Sequence, residues 1–142
     1  MPIGYRIDQS LGVTIGVWHG DIGAEEIAAA TERLFAEPDW PPSGGRHLTD
    51  LTTVRTMPDL EELAKAHKAL GRARGIRLAV VASEHFDEAR RYEHAVATAG
   101  LAVVVFTQVP SACAWLGIDY TATQTAINEL RRQLRETASG TP

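Results

Sequence analysis

Five histidines, one cysteine and a spread of carboxylates are the side chains in this chain with an intrinsic capacity for metal binding, acid–base or nucleophilic chemistry. Histidine ligation has a spacing: two imidazoles at i,i+4 on one helix, or paired ligands at zinc-finger intervals. His19, His47, His67, His85 and His94 show neither, so no metal ligand is assigned. His67 falls on an apolar helical stripe and reads as a partly buried core histidine. Cys113 lies between Ala112 and Ala114 in a short apolar segment, whereas a reactive thiol needs an electropositive, partly exposed setting. It therefore reads as inert. Gly44 and Gly45 precede a strand rather than joining strand to helix, so the sequence carries neither a P-loop nor a dinucleotide fingerprint. Position is more informative than motif. Asp50, Ser83 and His85 fall at the carboxyl ends of expected parallel strands, where ligands gather in open α/β sheets. They are expected to converge on one polar patch, with Tyr92 and Trp115 as its apolar walls. Taken singly, Asp50 also suits a turn and Ser83 a helix cap. As a catalytic set the three would need to lie within hydrogen-bond reach of one another. No catalytic residue and no cofactor is assigned, and a non-enzymatic function is expected.

The elements that must position these residues follow from periodicity. Ile3 to Gln9 and Val13 to His19 alternate around Ser10-Leu11-Gly12, a β-hairpin. Asp21 is placed as the N-cap of a first helix, with Glu25 and Glu26 at the positive end of its dipole and Ile27, Ala30, Thr31, Leu34 and Phe35 on its inner face. Three prolines and two glycines make residues 37–45 a loop, which holds Trp40. Arg46 to Leu51 reads as a short strand. Thr56, or a residue beside it, is expected to cap a second helix that buries Leu60, Leu63, Ala64 and Leu70 and stops near Gly71. Gly75 to Ser83 is an unbroken apolar run, which suits a central strand covered on both faces. A third helix opens at Glu84 and His85, buries Phe86, Ala89, Tyr92, Val96 and Ala99, and ends at Gly100; Leu101 to Phe106 is a second all-apolar strand. Pro110 starts a short helix over Ser111 to Leu116 with Gly117 as its C-terminal cap. Thr121 to Thr137 is helical, with Ala122, Ile127, Leu130 and Leu134 inside and Glu129, Arg131, Arg132, Arg135 and Glu136 outside. The order ββαβαβαβα plus a C-terminal helix predicts an α/β fold: a mixed sheet of about five strands with helices packed against it.

Three stretches carry a resemblance. They are Leu48-Thr49-Asp50-Leu51, a strand ending around an aspartate; Glu88-Ala89-Arg90-Arg91-Tyr92-Glu93, a helix bearing Arg and Tyr; and Val105 to Gly117, in which a strand-terminal Phe106 leads into Ala112-Cys113-Ala114-Trp115-Leu116-Gly117. With the order of elements, they resemble the STAS-type domain of the SpoIIAA-like family, often grouped with lipid-binding SEC14-like domains. The likeness covers roughly residues 1–117, leaving 118–137 as a C-terminal amphipathic helix and 138–142 as a loose tail. It implies a non-catalytic domain that binds a hydrophobic small molecule or lipid, or else a regulatory protein partner. Anti-sigma-factor antagonists of this family carry a phosphorylated serine in an Asp-Ser-Ser-Gly-type turn after the third strand. The corresponding residues 51–59 hold no serine, which leaves Thr53 or Thr56 as hydroxyl acceptors beside the plainer reading of Thr56 as a cap.

Composition narrows the classes. A chain of 142 residues suits one domain with a real core. Eighteen acidic against fourteen basic residues, with no basic tract, exclude a phosphate-driven nucleic-acid binder. A single cysteine cannot form an internal disulfide and fits a reducing compartment. No stretch approaches the ~18 apolar residues of a membrane span. A cytoplasmic location is expected, and a homodimer too, from an exposed sheet edge and the apolar stripe of the last helix.

Overall fold

A computed structural model describes residues 2–42, 44–61, 63–64, 75–97 and 101–139. Its elements run β1 (Ile3–Asp8), β2 (Val13–Asp21), α1 (Ala24–Ala36), β3 (Arg46–Thr56), β4 (Arg77–Val81), α2 (Phe86–Val96), β5 (Ala102–Phe106), α3 (Val109–Leu116) and α4 (Tyr120–Ser139). The strands form one sheet in the order β1-β2-β3-β4-β5. Only the β1–β2 pair is antiparallel; the other three pairs are parallel. This is the mixed α/β sheet that the alternation of strands and helices predicts. The hairpin turn is local chemistry: the Asp8 carboxylate accepts from Leu11 N–H at 3.0 Å and from the Ser10 hydroxyl at 2.7 Å. These bonds, the Leu11 amide foremost, hold the Asp8 carboxyl below the ordinary carboxylate range. Gly12 follows at φ 67°, a conformation that glycine adopts without strain.

Side chains alternate across the sheet and so divide between two cores. One face of β2 presents Val13, Ile15 and Val17, which meet Leu48 of β3, Ala79 and Val81 of β4, and the inner faces of α3 and α4. On the opposite face Leu51, Val80 and Val105 pack with Ile27 and Ala30 of α1 and with Ala89, Tyr92 and Val96 of α2. Each fully buried Leu, Ile or Val contributes about 1.5–3 kcal/mol relative to an exposed one. A sheet clad on both faces therefore has ample driving force.

Several expectations are corrected. The central strand is β3, not the Gly75 to Ser83 run, which supplies β4, fourth in the sheet. β3 is also longer than expected, reaching Thr56 rather than Leu51. Thr56 consequently caps no helix: its hydroxyl donates to Asp21 Oδ1 at 2.7 Å. Past the strand, Asp59 Oδ1 accepts from the Glu61 N–H at 3.0 Å. Asp21 likewise ends β2, its carboxylate held by Arg55 and Thr56 of the neighbouring strand, and the N-cap of α1 is Gly23. The Gly23 N–H donates to Glu26 Oε1 at 2.9 Å.

Leu60 and Ala64 are buried as predicted. His67, Leu70, Gly71, Ala99 and Gly100 lie outside the described residues, as do residues 140–142 of the expected tail. α3 closes on Gly117, which takes φ 73° and donates its N–H to Cys113 O at 2.8 Å.

Asp119 precedes α4, and its carboxylate accepts from Ala122 N–H in the first turn at 2.8 Å. Its inner stripe is Thr123, Ala126, Ile127, Leu130 and Leu134, while Ala122 is exposed. The helix thus completes the core of Val13, Ile15 and Val17 instead of standing off from the domain. Arg131, expected on the solvent side, points at the sheet.

Candidate functional site

Between the face of the sheet that bears Leu51 and Val80 and the helices α1 and α2 lies a cavity of about 130 Å³. Pleat and helix periods together build it. From the sheet come Ile3 and Tyr5 of β1, Gly16 and Trp18 of β2, His47, Thr49 and Leu51 of β3, and Leu78 and Val80 of β4. From above come Ile27, Ala30, Thr31, Leu34 and Phe35, one stripe of α1, together with Leu60 and Leu63, and Ala89 and Tyr92 of α2. Trp40 of the proline-rich loop closes one side, its ring stacked on Phe35 with centroids 4.4 Å apart. Among the described residues no Asp, Glu, Lys or Arg lines the cavity. Burial pushes the Tyr92 phenol far above its ordinary range, so it stays neutral at any physiological pH. The Tyr5 hydroxyl donates to Glu37 Oε1 at 3.0 Å, and burial, with that bond, raises its pKa as well.

The residues singled out from the sequence are distributed over both faces and one end of the sheet. Asp50 is fully buried on the face opposite the cavity. Its Oδ2 accepts from Arg131 of α4 at 2.6 and 3.1 Å and its Oδ1 from the Thr52 hydroxyl at 2.8 Å. Arg131 also donates to Thr52 Oγ1 at 2.7 Å, which closes a three-member network. His85, the N-cap residue of α2, donates from Nε2 to Arg55 O at 3.1 Å and sets Nδ1 3.8 Å from Glu88 Oε2. Ser83 is exposed, and its carbonyl accepts the Phe86 N–H at 3.3 Å. No hydrogen bond joins Asp50, Ser83 and His85 among the described residues.

Thr53 donates to Trp18 O at 3.3 Å across the β2–β3 pair. Tyr92 lines the cavity, whereas Trp115 sits on the other face, tilted against Phe106 at 5.9 Å and beneath the Arg77 guanidinium at 5.7 Å. These two are therefore walls of different compartments. Cys113 is buried in the core that holds Val13, Ile15 and Val17, and that burial raises its thiol pKa, against a Thr123 hydrogen bond that lowers it. A thiol so placed is a poor nucleophile. The described residues hold no group of three His, Cys, Asp or Glu side chains that could bind a metal ion, and no helix long and apolar enough to cross a membrane.

Sequence reasoning passed over Trp18, His47, Thr49 and Gly16 as site residues. A signal for them exists. Once Leu48 and Asp50 are assigned to one face of β3, the two-residue period puts His47, Thr49 and Leu51 on the other. What the period cannot reveal is that the space above them is left unfilled.

Comparison with known proteins agrees with this architecture. No family model matches the chain, and no curated protein matches it. Among solved structures it is similar to an uncharacterised protein of the DUF3478 family from Shewanella loihica PV-4, described as having a SpoIIAA-like fold. The TM-score is 0.55 at 15% sequence identity, over 80% of this chain and 91% of the other. At that identity the likeness concerns the fold, and it agrees with the sheet order, the helices on both faces and the stretches that resembled STAS-type domains: the chain has a SpoIIAA-like fold.

Proposed function

We propose that this chain is a non-catalytic binding domain that takes a small hydrophobic molecule into the cavity between the sheet and α1. The observation that carries the proposal is the cavity itself: about 130 Å³, walled by aliphatic and aromatic side chains and free of charged groups among the described residues. That volume is near the size that admits a single aromatic ring. A complete phospholipid would not fit, so within the hydrophobic or lipid-like class the occupant is a compact one. The engagement of Asp50 by Arg131 and of His85 by the Arg55 carbonyl supports a binding role over catalysis by that set. The cytoplasm remains the expected compartment, on the strength of a single unpaired cysteine.

A regulatory reading draws on Thr56. Its exposed hydroxyl at the carboxyl end of β3 lies beside Asp21 and Arg55, where a partner or a kinase could reach it.

Toluene tests the cavity directly. Ligand-detected NMR on the full chain is expected to show saturable toluene binding that is lost in Ala30→Leu, which fills the space from α1. Native against denaturing mass spectrometry of the purified protein should show any molecule retained from the cell. Absence of both toluene binding and a carried molecule would overturn the proposal.

A further inference from the structure

We infer that the occupant of this cavity is an uncharged single-ring amphiphile of the phenol class, its hydroxyl seated over Gly16 against Thr49 and His47. The inference rests on the cavity being a ligand site and adds to it the chemical class of the ligand. Gly16 lies in the middle of β2 on the cavity floor. A Cβ built there would stand 3.7 Å from both His47 Nε2 and Thr49 Oγ1 and 3.9 Å from Gly4 O. Nothing in the backbone calls for glycine at this point: its φ is not positive, and those distances are ordinary contacts that a methyl group would tolerate. Glycine inside a strand weakens it and often marks a place where something approaches the backbone closely. Here its effect is to leave a methyl-sized dent whose border carries a hydroxyl and an imidazole nitrogen, in a cavity otherwise walled mainly by carbon.

Three features define the complement. The wall is rich in aromatic rings, Trp18, Phe35, Trp40 and Tyr92, which favour a planar ring in offset or edge-to-face contact. The described lining is mainly aliphatic and aromatic carbon, which favours an uncharged ligand over an ionised one. The Thr49 hydroxyl can donate and accept at once, which matches a ligand hydroxyl better than a carbonyl or a methyl. A single ring fits the volume.

Phenol and toluene differ by hydroxyl against methyl at nearly constant shape, and titration of the full chain with each separates the possibilities. In a wholly apolar cavity the unpaired hydroxyl would make phenol the weaker ligand by about tenfold or more. The expected result is that phenol binds at least as tightly as toluene. Thr49→Val, which keeps shape and β-branching, should restore a preference for toluene of about tenfold. Gly16→Ala, which fills the dent, should weaken phenol more than toluene. Toluene bound tenfold more tightly than phenol by the unaltered chain, or a phenol affinity unmoved by Thr49→Val, would overturn the inference while leaving the cavity a ligand site. Failure of both probes to bind at their solubility limits would overturn this inference, and, if the purified protein also carries no molecule from the cell, the binding function with it.

Discussion

Asp50 has zero exposure, and a carboxylate in that position survives only with a partner. The partner is Arg131, whose two nitrogens reach one oxygen while Thr52 takes the other. The sequence reading drew Asp50 toward a ligand patch and Arg131 toward solvent, whereas in the structure the two side chains meet. Each side chain is polar and unremarkable alone, and their pairing depends on α4 folding back across 81 positions. Buried pairs are seldom strong net stabilisers, but removing one member strands the other. Arg131→Met is therefore expected to destabilise the fold by about 3–5 kcal/mol in urea denaturation. Asp50→Asn added to that variant should recover part of the loss, since an amide is cheaper to bury than an unpaired carboxylate. A single-variant loss below about 1 kcal/mol would mean that water reaches the pair.

Among the elements, β5 carries one edge of the sheet and β1 the other, and edges recruit other chains unless they are blunted. The backbone N–H of Val105 donates to Glu93 Oε2 of α2 at 3.2 Å, so a helix side chain occupies part of the β5 edge. Arg90 holds the same glutamate at 3.1 Å. The homodimer expectation rested on a free edge and a free apolar stripe on the last helix; α2 covers part of the first, and α4 buries its stripe on its own sheet. Glu93→Ala should uncover the Val105 amide and increase concentration-dependent self-association in sedimentation velocity. An unchanged distribution of species would count against edge protection by this residue. β3 teaches a related lesson. Its half-polar sequence, Arg46 to Thr56, read as a short strand because its neighbours on both sides were not yet in view.

At the scale of the molecule, the two faces of the sheet are finished differently. On one, the twenty residues of α4 and the eight of α3 close over Val13, Ile15 and Val17 and lock to Asp50. On the other, α1 and α2 leave a cavity of about 130 Å³ above Gly16 and Thr49. Empty apolar space is a stability cost, so filling it should be rewarded unless it is kept for a ligand. Ala30→Leu is accordingly expected to raise unfolding stability by up to about 2 kcal/mol in urea melts, while abolishing toluene binding. A destabilised variant would show that the space cannot take the added atoms, and that the cavity is tighter than its volume indicates.

Local patterning specifies the elements: the hairpin, the apolar runs of β4 and β5, the capped α3 and the periodic α1, α2 and α4. These depend on residues within a few positions of one another, where pleat, helical period and capping act. It also determined the architecture, since strands alternating with helices leave few ways to cover a sheet. Tertiary structure alone decided which strand is central, that Asp50 answers to Arg131, that Tyr92 and Trp115 lie on opposite faces, and that room remains above Gly16. Each of these is set by the packing of residues distant in the chain, and a sequence read locally carries no record of the space left between elements.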